Sequence, residues 1–195
     1  MSYLRYGAGA AGHVAHGLVA AFVLSALFML TGAADARADP KNTLHMDLKD
    51  GRVVIALRPD LAPKHVERIK KLVSEGFYDG VVFHRVITGF MAQTGDPTGT
   101  GTGGSKYPDL PAEFTQTPFK RGTLGAARTA DPNSANSQFF ITFEDTPHLN
   151  GQYTVFGQVV EGMQFVDRIK PGAPGSGQVF NPDKIVKMKL ASDGK

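Results

Sequence analysis

The grouping of apolar residues after Gly80 constrains the fold more than any other feature of the sequence. These residues form short runs, and segments containing Gly, Pro and Asn separate each run from the next. Short runs with long connections predict antiparallel strands, because alternating strand and helix units would need a helical segment after each strand. The runs extend over residues 81–87, 90–93, 122–127, 138–143 and 153–160.

The segment before these runs predicts a hairpin followed by a helix. Residues 44–48 alternate between apolar and polar, and Asp50-Gly51 then precedes a β-branched run at 53–55, which is typical of a hairpin with a tight primed turn. Over residues 61–75 the apolar spacing becomes helical, with a proline near the start and a glycine after the end. We therefore expect an amphipathic helix after the hairpin.

The remaining elements complete a mainly β fold class. A second helix is predicted over residues 163–169, and alternating residues at 186–190 predict a last strand. No segment repeats at a fixed period, which excludes solenoids and propellers. Because many strands accompany only two helices, we expect a closed barrel or a sandwich.

Residues 1–38 differ from the rest of the chain and predict a signal peptide. An apolar run of 13 residues at 18–30 is shorter than the roughly 20 residues of a bilayer span, but it fits the apolar region of a signal peptide. Small residues follow it, and we expect cleavage after Ala38, with Ala36 as the alternative site. An uncleaved anchor and a buried helix remain the other interpretations. Cleavage would leave residues 39–195 as a periplasmic or otherwise exported domain.

Composition excludes several classes of chemistry. The chain has no cysteine, which excludes disulfides, thiolate metal sites and cysteine nucleophiles. The formal net charge is only +3, so nucleic acid is not an expected partner. The six histidines form no HExxH pair, and no serine lies in a G-x-S-x-G motif, so neither a metal site nor a hydrolase is expected.

The glycine motif at residues 99–104 matches G-x-G-x-x-G, the pattern of dinucleotide-binding loops. Pro108 and Pro111 follow where such a site needs a helix, and no acidic residue lies near position 124 to bind a ribose. We therefore interpret this segment as a flexible glycine loop without a nucleotide.

Four sequence blocks in order resemble the cyclophilin-type peptidyl-prolyl isomerases over nearly all of residues 43–190. The resemblance implies a closed eight-stranded antiparallel β-barrel capped by two α-helices. It also implies that the protein needs no cofactor or metal and acts on proline-containing segments of unfolded or folding proteins. The blocks are residues 83–96, 101–104, 137–141 and 155–157.

The resemblance also implies the site residues. Arg85 and Gln93 occupy the positions of the catalytic arginine and its neighbouring glutamine. Arg85 is expected to donate to the proline nitrogen as the amide twists, because a guanidinium is always charged and carries several fixed donors. His84 is expected to be structural. The implied substrate-binding residues are Phe90, Met91, Thr129, Gln138, Phe140, His148, Leu149 and Tyr153.

Two departures from well-known eukaryotic members affect the expected ligands. His148 and Tyr153 replace a tryptophan and a histidine, and Arg128-Thr129 replaces an Ala-Asn pair, a variant that resembles bacterial members. We expect weak cyclosporin binding, because an imidazole has less apolar surface than an indole.

The expected function is prolyl isomerisation during the folding of exported proteins in a bacterial envelope. We expect a monomer without stable membrane insertion after processing. The alternative is a proline-peptide binding module or chaperone that needs no turnover, and a purely structural envelope protein is the third class.

Overall fold

The computed structural model describes residues 39–193, so the predicted signal peptide at 1–38 lies outside the described residues. Within this range the chain forms eight strands, two α-helices and three short 3₁₀ turns. The strands are β1 (Thr43–Leu48), β2 (Gly51–Leu57), β3 (Arg85–Ile87), β4 (Met91–Thr94), β5 (Thr123–Ala126), β6 (Phe139–Thr142), β7 (Val155–Glu161) and β8 (Lys187–Leu190). The helices are α1 (Pro63–Ser74) and α2 (Met163–Val166), and the turns are Pro40–Asn42, Pro147–Leu149 and Ala191–Asp193.

All eight strands join one antiparallel sheet in the order β3-β4-β6-β5-β7-β2-β1-β8. The mainly β, eight-stranded prediction is therefore confirmed. The sheet is strongly curved but is not the fully closed barrel that was predicted, because β3 and β8 are its two ends and no ladder joins them.

The seam between the two end strands is bridged by the irregular segment before β8. Residues 177–185 form isolated backbone hydrogen bonds with β3 and the residues just before it, such as the 2.9 Å bond from the Phe83 N–H to the Asp183 carbonyl. Two residues in this segment prevent a regular strand. Asn181 has a φ of +52°, and Pro182 has no N–H to donate to a neighbouring strand.

The β1–β2 hairpin forms as predicted, but its turn is not of the primed type. Leu48 pairs with Gly51, so the two loop residues are Lys49 and Asp50. Neither has the positive φ that primed turns require. Gly51 begins β2 with a φ of +151°, and a Cβ there would overlap the ring of Phe165. The glycine therefore permits close packing against Phe165 of helix α2.

Helix α1 matches the predicted amphipathic helix and packs on β7 and β8 with its buried face of Val66, Ile69, Leu72 and Val73. Helix α2 contacts β2 and ends at Val166, earlier than predicted. None of the helices among residues 39–193 has the length and apolarity needed to cross a membrane.

A distant carboxylate caps the N-terminus of α1. The N-cap residue, Ala62, has no side chain that can accept a hydrogen bond. Glu113 instead accepts the N–H groups of Lys64 and His65 at 3.1 and 3.0 Å, and the His65 imidazole Nδ1 lies 2.6 Å from its second oxygen. Burial lowers the pKa of His65, despite the opposing effect of Glu113. The neutral imidazole therefore donates to the carboxylate through Nδ1–H.

The apolar interior consists of two hydrophobic clusters. The larger one lies between the sheet and the helices and includes Ala92 and Phe139. The smaller one contains their sequence neighbours Met91 and Phe140. Because successive side chains of a strand point to opposite faces, β4 and β6 contribute to both clusters. Phe119, Leu149 and Val155 complete the smaller cluster.

Candidate active site

The strand register places the two predicted catalytic residues in one row across β3, β4 and β6. Arg85 pairs directly with Gln93, and Gln93 pairs with Phe140. Directly opposed residues in antiparallel strands share a face of the sheet. The row therefore lies on the same face as the smaller hydrophobic cluster, to which Met91 and Phe140 belong.

A cavity of about 200 Å³ opens beside this row, and we call it the proline slot. Its apolar floor includes Met91, Phe140 and Leu149, each of which is buried. Arg85 and Gln93 line its polar side. Five of the residues predicted to bind substrate line this cavity together. They are Phe90, Met91, Phe140, Leu149 and Tyr153.

The guanidinium of Arg85 has only neutral partners within residues 39–193. Its Nη1 donates to Gln93 Oε1 at 3.3 Å, and its Nε donates to the Ser176 carbonyl at 3.3 Å. Both bonds are longer than the usual 2.9 Å for an N–H donor. No carboxylate of the described residues lies within ion-pair distance. The full positive charge of Arg85 is therefore available to a ligand in the slot.

Gln93 is held by a second glutamine, Gln138. The Gln93 side-chain amide donates to Gln138 Oε1 at 2.9 Å, which leaves its own oxygen to accept from Arg85. The Gln138 amide in turn donates to the carbonyls of Gly101 and Gly103 at 3.0 and 2.8 Å. A hydrogen-bond chain therefore connects Arg85 to the glycine loop, with both amides oriented by their neighbours.

The glycine loop surrounds an internal carboxylate. The fully buried Asp96 accepts the backbone N–H groups of Thr98, Thr100, Gly101 and Gly103. Burial opposes the charge on Asp96, but the hydrogen bonds from Thr98 and the backbone outweigh it and hold the pKa well below the usual range. A Cβ on Gly103 would overlap Asp96 Oδ1, so this glycine permits the close approach. The loop therefore binds an anion of its own chain.

A second cavity of about 480 Å³, lined mainly by polar residues and glycines, adjoins the proline slot and includes part of the glycine loop. Thr129 and Gln138, both predicted to bind substrate, line this cavity rather than the slot. His148 lines neither cavity. Its exposed side chain lies beside Phe90, with 5.4 Å between the ring centroids.

His84 and possible metal ligands lie outside the slot. His84 is buried, and neither of its ring nitrogens has a hydrogen-bond partner within residues 39–193. Burial lowers the pKa of His84, so the ring is neutral. Within the same range, no group of three or more His, Asp or Glu side chains is arranged to hold a metal ion.

Sequence reasoning did not assign a role to Arg128, although this residue lines both cavities. Its guanidinium lies 4.6 Å from the ring centroid of Tyr153. The apolar pattern around residues 122–127 predicts a strand and says nothing about the residue after it. The signal in the sequence was the replacement of an Ala-Asn pair by Arg128-Thr129, which marked the position without indicating what the guanidinium does.

Comparison with known proteins identifies the family. The model for the cyclophilin type peptidyl-prolyl cis-trans isomerases matches residues 43–190. A probable peptidyl-prolyl cis-trans isomerase of Brucella suis is 55% identical over 207 residues, covering 100% of both chains. Peptidyl-prolyl cis-trans isomerase B of Bacillus subtilis is 45% identical over 128 residues, covering 64% of this chain and 88% of the relative.

Solved structures agree with this assignment. The cyclophilin AquaCyp293 of Hirschia baltica has a TM-score of 0.73 and 28% identity, covering 81% of this chain and 77% of its own. A Cryptosporidium parvum cyclophilin, crystallised in the presence of the dipeptide Ala-Pro, has a TM-score of 0.70 and 29% identity, covering 76% of this chain and 98% of its own. The fold, the sequence blocks and the relatives agree: this chain belongs to the cyclophilin-type peptidyl-prolyl cis-trans isomerases.

Proposed function

We propose that this isomerase rotates X-Pro bonds by donating a hydrogen bond from Arg85 to the proline nitrogen in the twisted transition state. Rotation must cross a barrier of about 18–20 kcal/mol, because amide resonance is lost when the bond twists. The nitrogen then regains a lone pair that the planar amide lacks. A donor placed at that position stabilises the transition state more than the ground state, and this difference accelerates the reaction.

The proposal rests on one observation: a guanidinium without a carboxylate partner in the described residues lies beside an apolar slot. The slot of about 200 Å³ offers apolar contact to a proline ring through Met91, Phe140 and Leu149. A ring bound there excludes water from the side of Arg85, which strengthens its electrostatic interaction with the nitrogen. Rotation breaks no covalent bond, so the step requires no nucleophile.

Gln93 acts in this proposal as a positioning residue. Its oxygen accepts from Arg85 at 3.3 Å, and its amide is fixed by Gln138. An acceptor beside the guanidinium restricts the direction in which the remaining N–H groups point. An uncatalysed X-Pro bond isomerises in tens of seconds. Shortening this to milliseconds requires roughly 5–6 kcal/mol of transition-state stabilisation. One charge-assisted hydrogen bond in a dry slot, together with orientation of the peptide, can supply this amount.

The test compares Arg85→Ala with a control that removes a different arginine. Arg58 is half-exposed and pairs with Asp60 at 2.6 Å, away from the slot, so Arg58→Ala is a matched control. We expect Arg85→Ala to lose about 100-fold or more in kcat/KM on a short Ala-Pro peptide, as measured by NMR exchange, since one removed donor of this kind costs roughly 2.7–4 kcal/mol. Arg58→Ala should resemble the parent.

The same assay separates turnover from binding. A folded Arg85→Ala variant that isomerises the peptide at near the parent rate would refute the proposed mechanism. A parent that binds the peptide but does not accelerate exchange would support the binding-module alternative. Circular dichroism of both variants ensures that a lost rate does not reflect a lost fold.

We further propose that the substrates are exported proteins folding in a bacterial periplasm. The support is the sequence of residues 1–38, with its short apolar run and small residues before Asp39. Intact-mass measurement of the protein from the extracytoplasmic fraction tests this. A chain that begins at Asp39 is expected, whereas a full-length chain retained in the membrane would contradict cleavage.

A further inference from the structure

We infer that Arg128 makes this enzyme prefer substrates with an acidic side chain close to the proline. This inference deepens the proposed function and rests on it, because it assumes that the proline ring occupies the slot. Arg128 lines both the slot and the adjoining polar cavity. A peptide that extends from one cavity into the other therefore passes its guanidinium.

Two aromatic rings hold the guanidinium of Arg128 in place. The Arg128 Cζ lies 4.6 Å from the ring centroid of Tyr153 and 6.0 Å from that of Phe114. Both distances fall within the range of attraction between a cation and an aromatic face. The side chain is half-buried, so its conformation is more restricted than that of a free surface arginine. A preorganised cation binds a partner with a smaller loss of entropy.

The hydrogen bonds of Arg128 occupy four of its five N–H donors without neutralising its charge. Nη1 donates to the carbonyls of Thr129 and Ala130 at 2.9 and 3.4 Å, while Nε and Nη2 donate to the Gln152 carbonyl at 3.4 and 2.9 Å. Every one of these acceptors is neutral. A guanidinium has five N–H donors, so one Nη2 donor has no partner within residues 39–193.

The charge balance of the two cavities favours an anionic ligand group. Arg85 and Arg128 both line the proline slot, and no described carboxylate lies within 4.0 Å of either. Among the described residues, Asp109 is the one carboxylate that lines the adjoining cavity, and it accepts the Asn136 amide at 2.8 Å. The linings of the two cavities together carry two arginines and one carboxylate, so a Lys or Arg side chain of the substrate would add to a net positive charge. A Glu or Asp side chain would instead receive a charge-assisted hydrogen bond.

A purely structural role for Arg128 makes a different prediction. The bonds to Thr129 and Gln152 connect two loops, so the side chain could act only as a clamp. Loss of a clamp would lower stability and would reduce activity on acidic and neutral peptides equally. The ratio of the two activities therefore distinguishes substrate selection from a clamp.

The experiment measures kcat/KM on pairs of peptides that differ only by Glu or Gln at one position. The positions varied, one at a time, are the two before and the two after the proline. At low ionic strength we expect Glu to exceed Gln by about fivefold at one or more positions, equivalent to about 1 kcal/mol. Added salt should shrink this ratio, because the pair is partly exposed. Arg128→Gln should bring the ratio close to one, and Arg128→Lys should retain part of it.

The control variant is Arg168→Gln, which removes the same charge from an exposed arginine that lines neither cavity. It should keep the Glu preference of the parent. A parent ratio of one at all positions, or a preference that survives in Arg128→Gln, would overturn the inference. If the neutral Ala-Pro peptide is not isomerised at all, the proposed function fails, and calorimetric titration with the same peptide pairs still decides whether Arg128 selects the acidic one.

Discussion

Replacing Asp96 by Asn should destabilise the domain by about 3 kcal/mol, because neither carboxylate oxygen can be exchanged for a donor without loss. Oδ1 accepts the Thr98 N–H at 2.7 Å, and Oδ2 accepts Thr100, Gly101 and Gly103 at 3.1, 2.6 and 3.1 Å. We expect the asparagine NH₂ to occupy the Oδ1 position, because only one backbone hydrogen bond is broken there, compared with three at Oδ2.

The magnitude combines two effects of this substitution. The Thr98 N–H would face another donor, and an unsatisfied buried donor costs roughly 1–3 kcal/mol. The three remaining backbone bonds would lose the ionic character that roughly doubles the strength of such bonds. For a domain of this size, about 3 kcal/mol corresponds to a decrease in Tm of roughly 6–12 °C.

Urea denaturation of parent and variant between pH 3 and pH 7 provides the assay. The pKa of Asp96 is lower in the folded state than its usual value, so its contribution is complete above about pH 4 and is lost as the pH falls below that value. The difference between Asp96→Asn and the parent should therefore shrink in acid. Asp50→Asn is the control, because Asp50 is exposed in the hairpin turn.

A loss smaller than about 1 kcal/mol at pH 7, or a difference that does not change down to pH 3, would refute the role given to the carboxylate. Activity provides a second measurement. Since Gly101 and Gly103 accept the Gln138 amide, loosening the loop should also lower kcat/KM on the Ala-Pro peptide. Asp50→Asn should leave both quantities near those of the parent.

Two other substitutions test features outside this loop. Glu113→Ala should lower the free energy of unfolding by about 2–4 kcal/mol, because it removes the acceptor for the α1 N-terminus and for the His65 imidazole. Urea denaturation measures this loss, and Glu113→Gln should have a stability between those of the parent and Glu113→Ala. His148→Trp should bind cyclosporin tenfold or more tightly than the parent in calorimetric titration at similar turnover, because a larger aromatic surface would lie beside Phe90; equal affinities would contradict this.

The row of candidate site residues was predicted because the sequence block that contains Arg85 and Gln93 resembles the cyclophilin family. Local strand pairing explains why the row forms. Only three residues separate β3 from β4, so the block around Arg85 and Gln93 specifies a hairpin that brings both side chains to one face. The short apolar runs predicted antiparallel strands, and the resemblance supplied their number. Local periodicity was therefore sufficient for the type of the elements but not for the strand count or the site.

Other features depended on contacts that no local pattern contains. A dinucleotide-binding loop needs a downstream acid that binds a ribose, whereas the acid that contacts residues 99–104 is Asp96, three residues upstream of Gly99. The place of Arg128 depends on rings at positions 114 and 153, which lie far away in the sequence. The primed turn was wrong because Gly51 serves packing against Phe165 and not the turn itself.

The order of strands in the sheet determines when this protein can fold. Strand β1 pairs with β2 along one edge and with β8 along the other, where Leu44 lies opposite Leu190. During synthesis the chain emerges from its N-terminus, so β1 has no second partner until β8, close to the C-terminus, has appeared. Until then its free edge presents unpaired N–H and C=O groups to other nascent chains. An isomerase with this topology is thus exposed to aggregation during its own synthesis until its final strand is released.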